Sequence, residues 1–207
     1  MKLPDLDNID VIYLDMDGVI VDLLYGVSNL LDIDPDEIRA HDGGFGGAWA
    51  RKTGMTDERA AESAVWNMIR GAGADFWRDL PWTDYGTALF IAAATARPTA
   101  ILSSPADGTS AAGKIEWLRK HRKELRAIYK GTGFAYRKPE HRRFALSPSK
   151  ELFAHSHALL IDDHDKNTDA FQRAGGHAVT WPRPWNSSTH TEKGIIAWLA
   201  AGCEGLW

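Results

Sequence analysis

Val11-Ile12-Tyr13-Leu14-Asp15-Met16-Asp17-Gly18-Val19 joins a short apolar run to two acids and a glycine. The run reads as a buried strand of about five residues. Two carboxylates leave its C-terminal end, the edge at which open α/β sheets bind ligands. Acids one residue apart in a loop can point into one pocket. Like charges that close repel, which calls for a bound cation or a shared proton. Taken alone, Asp15-Met16-Asp17-Gly18-Val19 also fits an acidic turn after a strand, where Asp-Gly is common.

Two later segments repeat the strand-then-polar pattern. Ile101-Leu102 runs into Ser103-Ser104-Pro105, and Leu159-Leu160-Ile161 runs into Asp162-Asp163. Between them lies Ser147-Pro148-Ser149-Lys150-Glu151. In this order, with Asp22 three residues beyond Val19, the segments resemble the four signatures of the haloacid dehalogenase-type (HAD) phosphohydrolases. Lys150 matches the family lysine, with Lys138 and Lys114 as rivals. Phe76-Trp77-Arg78-Asp79-Leu80, Ser103-Ser104-Pro105 and Leu160-Ile161-Asp162-Asp163 further resemble the 5′(3′)-deoxyribonucleotidases. The likeness is clear at the motifs and thin between them, above all over 34–70 and 106–145. It implies an α/β, HAD-like three-layer sandwich with a mainly parallel sheet. It also implies a small helical cap after the first strand, with 1–21 and 86–207 as core and 22–85 as cap.

The chain has 207 residues, a net charge of −4, 44% hydrophobic and 25% charged residues. That is ordinary for one globular domain with a small insertion. The acidic balance argues against a nucleic-acid polymer or an anionic membrane as partner. One cysteine, Cys203, forbids an internal disulfide and fits a reducing, cytoplasmic setting. No apolar run reaches the roughly 20 residues of a membrane span, and the first residues are too polar for a signal peptide. A homodimer is compatible with all of this.

The hydrophobic periodicity predicts helices over 28–31, 35–40 and 57–70, the last capped by Thr56 or Asp57. The run Gly43-Gly44-Phe45-Gly46-Gly47 lacks the Lys-Ser/Thr of a phosphate-binding loop and reads as a flexible connection. Beyond it, helices are expected at 85–96, at 110–129 as one long basic-faced helix, from Ser147 with Pro148 at its first position, at 167–174 and at 195–201. Strands are expected near 10–15, at 100–102, within 128–134, at 158–161 and at 177–181. Such alternation predicts a parallel sheet covered on both faces.

Phosphoester hydrolysis needs a nucleophile, a proton donor, charge neutralisation and exclusion of water. Asp15 is the candidate nucleophile and Asp17 the candidate general acid; the resemblance assigns the same roles. If the two acid-tipped strands are neighbours, four carboxylates converge, and all-oxygen ligation selects Mg²⁺. By resemblance, Asp15, the Asp17 backbone carbonyl and one of Asp162 and Asp163 ligate it, with Asp163 favoured. The Ser103 hydroxyl, the Ser104 amide and the Lys150 ammonium suit phosphoryl oxygens. His155 and His157 are spaced like metal ligands but precede a buried strand and are expected to pack or cap. Trp181-Pro182-Arg183-Pro184-Trp185-Asn186 follows the last strand and either walls the site or pins a loop. The cap segment is rich in aromatics, with Phe76 and Trp77 as candidates for contact with a base. The expected activity is therefore Mg²⁺-dependent hydrolysis of (deoxy)nucleoside 5′-monophosphates, a 5′-nucleotidase-like phosphatase acting on a small nucleotide. A sugar phosphate is the alternative substrate.

Overall fold

The computed structural model describes residues 3–40, 44–132 and 143–202. Strand β1 (Val11–Leu14) lies in the middle of a five-stranded sheet. Its neighbours are β2 (Thr99–Ser103) and β4 (Ala158–Asp162), with β3 (Phe144–Leu146) and β5 (His177–Thr180) at the edges. Every pairing is parallel, in the order β3-β2-β1-β4-β5. Leu14 stands in register with Ile101 on one side and Ile161 on the other. The order reverses between β1 and β4, so the C-terminal ends of those strands open onto the crevice where ligands bind in such sheets. Asp15 leaves one end and Asp162 terminates the other.

The pleat separates two apolar layers. Ile12, Leu14, Ile101, Leu159, Ile161 and Val179 face the larger core, with Phe90 and Leu89 of helix α5 (Gly86–Ala96). Leu102, Ala158, Leu160 and Ala178 face the other side. There Tyr13 packs edge-on against Phe153 and Phe171, with ring centroids 5.7 and 6.4 Å apart. β4 is buried at all five positions, as a central parallel strand must be. The three-layer α/β architecture is the expected one.

The chain leaves the sheet through a tight turn in which Val19, Ile20 and Val21 all donate to the Met16 carbonyl. Asp22 then caps helix α1 (Leu23–Leu31) by accepting from the Tyr25 amide at 2.9 Å. The sequence suggests a turn to helix within 18–31, clearest at 28–31, and the helix begins at Leu23. Helices α2 (Pro35–Arg39), α3 (Gly44–Thr53) and α4 (Glu58–Arg78) follow. The chain returns beside its exit: Val21 bridges Trp82, Asp22 donates to the Pro81 carbonyl and Thr83 to that of Ile20. Asp57 caps α4, accepting from Arg59 and Ala60. The helix runs eight residues past its expected end, with a break at Gly73.

Several elements correct the sequence expectation. The run over 43–47 is not a flexible connection, because residues 44–47 begin α3; Gly43 itself lies outside the described residues. A Cβ at Gly46 would come within 2.6 Å of Glu62 Cβ, so this glycine permits close helix packing rather than a loop. The single helix over 110–129 is two, α6 (Gly108–Lys120) and α7 (Arg122–Gly131), parted at His121. There the His121 ring lies 4.3 Å from that of Trp117. The strand expected within 128–134 is not found at 128–132, where α7 runs to Gly131; 133–134 lie outside the described residues. Leu125 and Tyr129, four apart, are both buried, and the Tyr129 hydroxyl donates to Thr99 O at 3.1 Å. Ser147 caps no α-helix: its Oγ accepts from the Ser149 amide in a local turn, and only a 3₁₀ turn follows at Lys150–Phe153. Helices α8 (Asp165–Arg173) and α9 (Glu192–Ala201) close the fold.

Candidate active site

Four carboxylates gather at the C-terminal ends of β1 and β4. One carboxylate oxygen from each of Asp15, Asp162 and Asp163 lies within 4.8 Å of the others, and all three residues are buried. Asp17 stands two residues from Asp15 on the same turn. Burial first, and then the Asp15 and Asp162 charges, push the Asp163 carboxyl well above the usual carboxylate range. Burial likewise raises Asp162, and raises Asp17 despite the ammonium beside it.

Two buried lysines answer part of this charge. Lys150 Nζ lies 2.7 Å from Asp15 Oδ1 and 2.5 Å from Asp162 Oδ2. Burial works against its charge, but the two carboxylates outweigh that and hold the ammonium above the ordinary lysine range. Lys114, on α6, is also buried; its Nζ pairs with Asp17 Oδ2 and donates to Ser103 Oγ at 3.0 Å. It lies 5.1 Å from the centroid of the Trp77 ring. Of the three lysines weighed from the sequence, Lys150 is on the Asp15 side, Lys114 is on the Asp17 side, and Lys138 lies outside the described residues.

The lone pairs of the four acids are used unequally. Asp162 has both oxygens engaged: Oδ1 accepts from the His164 amide and Asn167, and Oδ2 from Lys150 and Asn167. On Asp163, Oδ2 accepts from the Trp185 indole at 3.0 Å while Oδ1 is buried with no hydrogen-bond partner. Asp17 repeats this, with Oδ2 on Lys114 and Oδ1 buried and unpartnered. Asp15 Oδ1 has the Lys150 ion pair but no well-directed hydrogen bond. Buried acceptors without donors are costly, and among the described residues these four carboxylates are paired with two ammonium groups, Lys114 and Lys150. An oxygen-rich, electron-donating pocket of this kind fits a hard divalent cation, with Asp163 Oδ1 and Asp17 Oδ1 unpartnered and Asp15 Oδ1 held by the Lys150 ion pair alone.

The cluster forms part of the wall of a cavity of about 1040 Å³. Asp15, Asp17, Ser104, Lys150 and Asp163 line it from the sheet edge. Phe45, Trp66 and Trp77 line it from the helices between β1 and β2. Ser104 reaches the cavity, and its Oγ donates to Ser147 O at 2.9 Å. Ser103 is fully buried, with its hydroxyl on Lys114, and is not part of the lining. Phe76 is absent from the lining too. It packs edge-on against Trp77, with centroids 5.3 Å apart, and close to Gly26.

The segment over 181–186 does both things the sequence left open. Arg183 Nε donates to Gly18 O at 2.6 Å, and Asn186 Nδ2 donates to the carbonyls of Asp163 and Trp181, each at 2.7 Å. Arg183 and Trp185 line the cavity. Phe45 and Trp66 belong to the aromatic-rich stretch over 22–85, but the sequence does not single them out for the cavity as it does Phe76 and Trp77, because aromatics at helical spacing read equally as core. Asn167 gave no signal at all: its role rests on a contact with Asp162 across the loop. His155 and His157 lie before β4, at the opposite end of the sheet from the acids, where His157 Nδ1 is 2.9 Å from Asn8 O.

No protein-family model matches the sequence, and no curated protein matches it either. Solved structures do. A haloacid dehalogenase-like family hydrolase from Xanthomonas campestris superposes with a TM-score of 0.51 at 11% identity, covering 97% of this chain and 95% of that one. A putative haloacid dehalogenase-like hydrolase from Burkholderia xenovorans gives 0.49 at 16% identity, over 96% and 99% of the two chains. A HAD family hydrolase from Deinococcus radiodurans gives 0.49 at 14%, over 93% and 88%. At such identities the shared property is the fold, and the first of these carries the likeness. From end to end of its parallel five-stranded sheet, the chain has the fold of a haloacid dehalogenase-like hydrolase.

Proposed function

We propose that the protein is a Mg²⁺-dependent phosphomonoesterase that hydrolyses (deoxy)nucleoside 5′-monophosphates through an aspartyl-phosphate on Asp15. The observation that carries this reading is the pairing of Asp15 with Lys150 at the end of the central strand, beside two carboxylates that each keep one buried, unpartnered oxygen. Asp15 attacks phosphorus, and Lys150 neutralises charge on the nucleophile and on the transferring group. Asp17 protonates the leaving oxygen and later takes a proton from water, a role that its raised pKa favours. Asp15, Asp163 and the Asp17 backbone carbonyl would hold the cation. When bound, Mg²⁺ supplies charge neutralisation to the phosphoryl oxygens. Ser104, at the turn after β2, borders the same space.

Support for a nucleotide comes from the aromatic side of the cavity. Trp66, Phe45 and Trp77 offer flat apolar walls, and base stacking contributes about 1–3 kcal/mol. Phe76 supports Trp77 from behind. The test is phosphate release from a panel of 5′- and 3′-nucleoside monophosphates, sugar phosphates and an aryl phosphate, with Mg²⁺ and with chelator. Chelator-sensitive turnover, fastest on 5′-nucleotides, is expected. Fast turnover confined to sugar phosphates would replace the substrate, and no release from any ester would overturn the activity.

A further inference from the structure

Trp185 stands where hydrophobic burial does not account for it. It is 42% exposed, yet it lines the cavity and aims its indole N–H at Asp163 Oδ2, 3.0 Å away. The Asp163 backbone carbonyl is held in turn by Asn186, the next residue of the same loop. A Cβ placed on Gly18 would come 2.2 Å from Asp163 Oδ2 and 3.4 Å from the Trp185 ring, so indole, carboxylate and the turn after Asp15 are in mutual contact. A carboxylate free to rotate offers a cation either oxygen or both. The indole takes one lone pair of Oδ2 and fixes the orientation of the carboxylate, leaving Oδ1 as the oxygen that is buried without a partner.

We propose that Trp185 is a positioning residue that makes Asp163 a one-oxygen donor and so favours Mg²⁺ over larger divalent cations. The inference rests on the reading of the site as a Mg²⁺ centre. Mg²⁺ demands near-octahedral geometry, whereas Ca²⁺ accepts carboxylates through both oxygens in flexible geometry. Groups that orient a ligand typically change metal affinity by about 10- to 100-fold when removed.

The experiment is calorimetric titration of Mg²⁺ and, separately, Ca²⁺ into the metal-free protein and into Trp185→Phe, which keeps a ring in place and removes the N–H. Trp185→Phe is expected to bind Mg²⁺ at least about tenfold more weakly and to bind Ca²⁺ unchanged or more tightly. Equal weakening for both cations would mean a merely structural role, and wild-type Mg²⁺ affinity would mean no role; either overturns the inference. A native protein that binds neither cation overturns the metal-centre reading itself, a result set apart by the parent chain rather than the variant.

Discussion

Replacing Lys150 by methionine keeps the aliphatic stem and removes the cation from between Asp15 and Asp162. At contacts of 2.7 and 2.5 Å the gross Coulomb attraction is on the order of 6 kcal/mol per pair at an effective dielectric of about 20. Most of that is offset by desolvation of the three groups. Removing one partner of a buried pair costs about 3–5 kcal/mol, because the remaining charge has lost its compensation. A chain of this size loses about 2–4 °C of melting temperature per kcal/mol, so Lys150→Met should melt roughly 6–20 °C lower in chelator near neutral pH. The sign with pH follows from the acids. Burial already raises Asp162, and losing Lys150 raises it further. A raised folded-state carboxyl stabilises below its unfolded pKa and loses that contribution as pH climbs through the folded value. The deficit of the variant should therefore shrink on acidification, as the carboxyls take up protons. Circular-dichroism melts from about pH 4 to pH 8 measure this. A deficit of the same size at every pH would show that Lys150 matters through packing, and the electrostatic account of the site would fail.

Burial raises the carboxyls of Asp17, Asp162 and Asp163 above the usual carboxylate range. In chelator these three groups should make stability decline as pH rises above about 4, and Mg²⁺ should restore most at the higher pH and displace protons on binding. Melts with and without Mg²⁺ that run parallel across pH would contradict this. Trp77→Ala should lower kcat/KM for nucleoside monophosphates about 10- to 100-fold, the equivalent of one lost stacking contact, with far less effect on an aryl phosphate. Phe76→Ala should act mainly on melting temperature, since Phe76 packs on Gly26 and Trp77 rather than lining the cavity; equal kinetic losses for the two variants would refute the distinction.

The parts of the molecule legible in the sequence are those in which local pattern and tertiary role agree. The apolar runs ending in Asp15, Ser103 and Asp162 are strands of one parallel sheet, and Asp57 caps the helix it precedes. The Gly-rich segment misled because a glycine that serves helix contact looks like one that serves a turn; only the presence of Glu62 opposite Gly46 tells them apart. Ser147-Pro148 carried a helix-start signal, but Ser147 spends its hydroxyl on a turn two residues long. Within the site, residue types at strand ends pointed to the acids and to Lys150. Lys114 and Trp185 act through contacts between separate segments, and Asn167 through a side-chain contact across a short loop; no residue pattern announces any of the three.

The parallel order β3-β2-β1-β4-β5 also sets the moment at which the site comes into being. Lys114 meets Asp17 across 97 residues, and Arg183 meets Gly18 across 165. Contacts so distant along the chain are slow to form, because loops must close before any contact rewards them. During synthesis the chain up to β3 contains Asp15, Asp17 and Lys114 but neither Lys150, Asp162 nor Asp163, so Asp17 has its counter-ion before the β4 acids add further like charge, while Asp15 must wait for Lys150. The repulsive cluster is completed only when β4 docks beside β1, and the 181–186 segment then closes over it. A divalent ion bound at that point recognises the finished fold alone and deepens its free-energy well by mass action. Chelation should accordingly quicken unfolding of the mature protein and leave the early, β1-to-β3 stage of folding untouched.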